Sequence, residues 1–367
     1  LPSDLAYQRL NSLKGSPLND IYEDASGILW VGSNNSGVNK INLRLGKFRT
    51  INQDNGLNYN FILSFAEMGN ELLIGTDGKG INVWNRTTNQ FRVVQSESEG
   101  QHNQILSMAE VRPGIFWCAT FHGLIQFDAR QKKITPPSPK EKIFFDLFRQ
   151  TQVRKIYKDS RQKVWIGAIP GVFTYDLMTD QINNWSTQRL TGDLVSSFKE
   201  DPQGNVWLGR GVGLQMYSPV THKITSVPLL IPNTKINFDD ISDVNCSGDS
   251  VLWLSSYRVG LGKYTDKTGQ FKLYTIADGL SNNSVYGSLT DAQGRLWIST
   301  NMGLSRFDPK RGTFTNFDVY DGLQNNEFNG GSYLRLKSGE MVFGGVNGFN
   351  IFHPMGFSGL NHRQIFR

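Results

Sequence analysis

One short phrase returns eight times along this chain at steps of 42 to 48 residues. It runs as an apolar strand, a tight turn often written Asp-x-x-Gly, then Leu-Trp-(Val/Ile/Leu)-Gly-(Ser/Thr), then a second strand opened by Gly. Aligned on the Trp position, the anchors are Trp30, Leu73, Trp117, Trp165, Trp207, Trp253, Trp297 and Val342, so six of the eight tryptophans share one structural slot. A fixed period in the mid-forties marks a repeat array, in which each copy buries its apolar face only by stacking on its neighbours.

The seventh copy shows the unit most plainly. Val285–Thr290 reads as a first strand, Asp291-Ala292-Gln293-Gly294 as the turn, 295–300 as the second strand, 304–308 as the third and Thr313–Phe317 as the fourth. Strands of about five residues are the usual length, and the Gly, Asp and Asn between them suit turns that need positive φ or Asx-type hydrogen bonds. No stretch sustains a 3.6-residue apolar period, so helices should be few. Four short strands per period predict an all-β fold, a β-propeller of four-stranded blades. The repeat count gives eight blades; the alternative is seven, with one repeat belonging to an adjacent propeller.

Composition fits: 38 Gly and 12% aromatic residues suit many hairpins with bulky packing between them, and 19% charged is too little for disorder. The expected organisation is a lead-in over 1–17, one propeller over 18–354 and a tail over 355–367. The chain opens at Leu1 without a Met or an apolar leader, which reads as a piece of something longer. No run of about 18 apolar residues is present. Cys118 directly follows an anchor Trp and Cys246 lies three repeats on, so both read as small buried hydrophobes rather than a disulfide. A formal charge of +6 permits an acidic ligand without demanding one.

The phrase resembles the two-component regulator propeller repeats of the extracytoplasmic sensor regions of bacterial hybrid sensor kinases. The residues that carry the resemblance are Ile21-Tyr22-Glu23-Asp24-Ala25-Ser26-Gly27-Ile28-Leu29-Trp30-Val31-Gly32, the seventh copy, and a closing segment from Asp321-Gly322-Leu323 to Phe352-His353-Pro354. It covers essentially the whole chain. The resemblance implies a periplasmic sensor of an inner-membrane signalling protein, with an adjacent propeller, a following β-sandwich and a homodimer as partners. The sandwich expected after His353-Pro354 is missing from the sequence.

Antiparallel strand order places the loop between the second and third strands, and the connection to the next blade, on one face of the disc; the Asp-x-x-Gly turns fall on the other. The first face holds the residues that differ most between copies, and variation inside a repeat frame marks a recognition surface. The candidate ring is Asn34, Asn35, Asp77, Lys79, Phe121, His122, Arg210, Tyr257, Arg258, Asn301 and Asn347. Planar side chains stack on sugar faces and Arg offers a fork to carboxylate or sulfate, so this set suits an oligosaccharide or another polar or acidic small molecule. The long connection at 134–152, with Phe144, Phe145 and Phe148, is either a lid or a cover for the blade edge.

Other motifs carry less. The glycines at 75–80 and 209–213 open onto strands, so no helix N-terminus is there to hold a phosphate, and the Asp-x-x-Gly turns lack the oxygen ladder of a calcium loop. No metal or cofactor is expected. The five histidines are scattered and no hydrolase signature is present. A secreted polysaccharide lyase using His122 with Asp77 or Tyr257 is the alternative to the sensor. Basic residues do not cluster with aromatics, so nucleic acid is not an expected partner.

Overall fold

Each copy of the phrase folds into an antiparallel sheet. The computed structural model describes residues 17–23, 28–34, 37–42, 47–96, 102–169, 171–185, 195–230, 234, 238–248 and 250–357. Within them lie seven four-stranded sheets and one three-stranded sheet. The strands of the seventh copy are Val285–Thr290, Leu296–Thr300, Gly303–Asp308 and Thr313–Phe317, within a residue of the expected bounds.

Seven sheets close a ring. Blades one to six span 62–94, 107–135, 153–184, 195–227, 241–274 and 285–317. Blade seven has only three strands of its own, Phe328–Arg335, Met341–Gly345 and Gly348–Phe352, and takes its fourth from the other end of the ring. Arg49–Ile51 pairs antiparallel with it, Ile51 opposite Phe349 and Arg49 opposite Ile351. The first strand of each blade contacts that of the next around the circle, and blade seven contacts blade one. Eight anchors therefore give eight sheets but seven blades. The first copy (Leu18–Glu23, Ile28–Ser33, Gly37–Asn42) stands outside the ring, which runs over 49–352 rather than 18–354.

The Trp slot is an inter-blade joint. Trp117 lies 5.4 Å from Tyr175, Trp165 4.9 Å from Tyr217, Trp207 6.3 Å from Tyr264, Trp253 5.6 Å from Phe307 and Trp297 4.7 Å from Phe352, ring centre to ring centre. Each partner sits on the third strand of the following blade. Where the anchor is smaller, Val342 shares its cluster with the larger Trp84, which keeps the joint filled. Two residues after the anchor the side chain is always small, because the next blade begins there: a Cβ on Gly209 would stand 2.7 Å from the Cγ2 of Ile241.

The inner strands splay from one another, so side chains bridge them. Ser64 Oγ donates to the carbonyl of Ile105 at 2.7 Å and Ser242 Oγ to that of Val285 at 2.7 Å. Both cysteines are free thiols, Cys118 buried and Cys246 partly so, and burial is the main force raising their pKa values, Cys246 to about 12. Among the described residues no helix is long and apolar enough to cross a membrane.

The connection at 134–152 holds the helix Pro139–Asp146. Pro139 takes its first position, where no N–H is needed, and Ser138 and Glu141 form a capping box. Phe144, Phe145 and Phe148 are buried against blades two and three, with Trp117 and Tyr175. The segment covers the blade edge.

An axial mouth as the candidate functional site

One recurring hydrogen bond defines the mouth face. The residue following the second strand donates to the carbonyl just before the first: Asp77 N to Phe61 O at 3.1 Å, Ile169 N to Gln152 O at 3.0 Å, Tyr257 N to Asp240 O at 3.0 Å and Asn301 N to Ser284 O at 3.1 Å. Those loops and the blade connections therefore share one face, as the strand order requires. Three of the connections repeat a motif of their own. Asn52 with Asn55, Thr275 with Asp278 and Asp318 with Asp321 each cap a 3-10 turn that ends in Gly56, Gly279 or Gly322 at positive φ. They join blades seven to one, five to six and six to seven. Among the described residues of the connections between blades one and five this turn does not recur.

A β-bulge shapes the channel. In blades one, three, four, five and six the pairing slips one residue into the first strand, between Ile62 and Ser64, Val153 and Lys155, Val195 and Ser197, Ile241 and Asp243, and Val285 and Gly287. A bulge sets two residues opposite one and re-aims a side chain. Leu63, Arg154 and Ser196 are such extra residues, and with Phe61, Leu106, Tyr257 and Asn329 to Gly331 they line a cavity of about 230 Å³ at the mouth. The Tyr257 hydroxyl reaches toward blade seven, 2.5 Å from where a Cβ on Gly330 would stand.

A second cavity of about 260 Å³ lies farther along the channel, toward the face of the Asp-x-x-Gly turns, bounded by Ser64, Ser107, Ser197, Asp243, Ser288 and Tyr333; Lys155 and Gly331 line both. Asp243 is held by Ser197 Oγ at 3.2 Å and the Ser288 N–H at 3.1 Å. Burial first, then the Asp243 carboxylate, raises the pKa of Tyr333 far above that of an ordinary phenol. Burial pulls the Lys155 ammonium pKa down, against the opposing pull of Asp243.

The expected ring is only partly assembled. Tyr257 lines the mouth cavity. Asp77 is half-buried and bridges to Gln104, while Lys79 is exposed. Phe121 and His122 are half-buried, and the His122 ring stands 6.4 Å from His102. Among the described residues, no hydrogen bond or ion pair joins His122 to Asp77 or Tyr257. Arg258 is exposed and paired with Asp239 at 3.0 Å and Asp240 at 3.2 Å. Asn301 is exposed and accepts from the Tyr286 hydroxyl at 3.2 Å; Asn347, also exposed, accepts from Asn60 at 3.0 Å.

Two positions differ from expectation. Arg210 is 0% exposed, its guanidinium bonded to Gln215 Oε1 at 3.0 Å inside blade four, so it packs the blade instead of lining the mouth. Asn34 belongs to the sheet outside the ring, where it accepts from Asn19, and Asn35 lies outside the described residues. The residues missed were Arg154, Lys155 and Asp243. Their signal lay in the first strand, where the residue opposite the small one two places after each anchor is Ser64, Ser107, Lys155, Ser197, Asp243, Gly287 and, across a wider bulge in blade seven, Ser332. Five of these seven are Ser or Gly, and the two charged ones stand out.

Residues 12–35 and 279–302 match the family model described as two component regulator propeller. No curated protein matches the chain. Among solved structures, the extracellular domain of the hybrid two component system BT3049 from B. thetaiotaomicron is 24% identical with a TM-score of 0.72, over 92% of this chain and 45% of that one. A streptogramin B lyase is 12% identical with a TM-score of 0.63, over 83% and 97%. PorZ of Porphyromonas gingivalis, a surface component of the type-IX secretion system, is 12% identical with a TM-score of 0.62, over 93% and 53%. At such identities the likeness shows the propeller fold alone. The chain spans less than half the length of the BT3049 domain.

Proposed function

The chain carries two-component regulator propeller repeats, and from that premise we propose that it is the ligand-sensing propeller of a periplasmic signalling region, taking a polar or acidic small molecule of the oligosaccharide class at its axial mouth. The observation behind this reading is the cavity at the mouth, where bulged residues that do not repeat between copies meet Tyr257. Its volume of about 230 Å³ falls below the roughly 300 Å³ at which drug-sized pockets begin, so it takes one end of a longer molecule. The rest of that molecule extends out of the mouth over the surrounding face.

On this reading the first copy, outside the ring, belongs to an adjoining propeller, and the signal passes to a downstream β-sandwich and membrane segment. Binding transmits only if the ligand prefers one of two arrangements of those units or of a dimer. Calorimetry and thermal shift against neutral and acidic oligosaccharides, repeated with Tyr257→Ala and Arg258→Ala, test the placement. Binding should weaken in Tyr257→Ala and persist in Arg258→Ala; a ligand held equally by the wild type and Tyr257→Ala disproves it. Release of new unsaturated ends from a polysaccharide would replace the sensor with a lyase.

A further inference from the structure

We propose that Lys155 is an anion anchor on the channel axis, which receives a carboxylate, sulfate or phosphate group of the ligand whose remainder fills the mouth. This rests on the mouth being the ligand site. The position Lys155 occupies is Ser or Gly in five of the seven blades, so the repeat itself does not require a long cation there. The side chain lines both cavities, and its Nζ lies 3.8 Å from where a Cβ on Gly331, which also lines both, would stand.

Among the described residues no carboxylate lies within 4 Å of that ammonium and no hydrogen bond to it is made. Asp243, which lines the same second cavity, attracts that ammonium, while its oxygens accept from Ser197 Oγ and the Ser288 N–H. A half-buried ammonium with one carboxylate in its cavity still has room for an incoming anion, which it holds more strongly than a fully solvated cation would. Arg154, re-aimed into the mouth by the bulge, adds a second positive charge along the approach.

Asp243 narrows the ligand further. A carboxylate in the same cavity repels a second negative group and accepts from hydroxyls. The chemistry that fits both groups is a polyhydroxylated ring bearing one negative charge, such as a terminal uronate or a singly sulfated sugar. A free inorganic anion would satisfy Lys155 alone and leave the mouth empty.

Calorimetry at low ionic strength would compare glucuronate, a glucuronate-terminated disaccharide, its neutral glucose counterpart and inorganic sulfate, against the wild type, Lys155→Met and Lys155→Arg. The expected result is that Lys155→Met binds the acidic disaccharide about thirtyfold or more weakly, while Lys155→Arg retains it and the neutral disaccharide loses far less than the acidic one. Sulfate should compete with the acidic disaccharide and not with the neutral one. Equal affinity of Lys155→Met and wild type for the acidic probes overturns the anchor and leaves the sensor standing. So does a wild type that binds the neutral sugar and no anion. Absence of binding by every probe overturns both, and thermal melts of each variant separate lost binding from lost folding.

Discussion

The indole N–H of Trp207 donates to the carboxylate of Asp201 at 2.8 Å, and so joins the two halves of the repeated phrase. The same link runs from Trp165 to Asp159 at 2.8 Å and from Trp297 to Asp291 at 3.2 Å. The other oxygen of each Asp takes backbone N–H groups of its own turn, at Gln203 and Asn205 in blade four. One carboxylate therefore shapes the hairpin and fixes the indole that packs the next blade. Asp201→Ala removes both, and should lower the unfolding free energy by about 1–3 kcal/mol. Trp207→Phe, which keeps the ring and loses the donor, should cost less than the roughly 3–5 kcal/mol of Trp207→Ala. Urea midpoints check the order; an Asp201→Ala variant as stable as wild type would remove the carboxylate from the account.

Ring closure gives a second expectation. Arg49–Ile51 supplies the last strand of blade seven, and Phe48 lies between Trp297, Phe317, Phe352 and Phe357 at ring-centre distances of 4.7 to 6.4 Å. A variant that begins at Leu45 keeps the clasp and should melt cooperatively near the temperature of the full chain. One that begins at Gln53 leaves blade seven with an open edge and should lose several degrees and some cooperativity. Equal melting of the two in calorimetry would show that the clasp does not hold the ring.

What the sequence made legible follows from what repeats. Trp207, Asp201 and Gly209 recur in register, so strand bounds and blade packing could be read from spacing alone. Arg210 immediately follows Gly209 and was placed in the mouth by that same register, yet it turns into the blade, because the register fixes backbone position and not side-chain direction. Lys155 was missed because a one-residue bulge reverses facing without changing the period. The distinction between eight repeats and seven blades lay in pairing across some 300 residues of sequence, between Arg49 and Ile351, which no local pattern reports.

The two arginines of the expected ring should part company. Arg210 is wholly buried and bonded to Gln215, so Arg210→Ala leaves a cavity and an unpaired amide, and should cost about 2–4 kcal/mol. Arg258 is exposed and its pairs with Asp239 and Asp240 are solvated, so Arg258→Ala should cost about 1 kcal/mol or less. Denaturant melts of both variants give the comparison directly, and a larger loss for Arg258 would contradict the burial argument.

His102 supplies a pH dependence. Burial, and then the neighbouring His122, hold its pKa below the ordinary 6.5. The fold therefore prefers the neutral ring, and as pH falls the unfolded chain takes up the proton first. This contribution to stability is intact above about pH 6.5 and declines as pH drops through that value toward the lowered one of the folded state. The melting temperature of the wild type should thus fall more steeply between pH 7 and 5 than that of His102→Gln. A proton NMR titration should place the His102 midpoint in the folded protein below 6.5. A midpoint above it, with parallel melting curves for the two proteins, would reverse the sign of the argument.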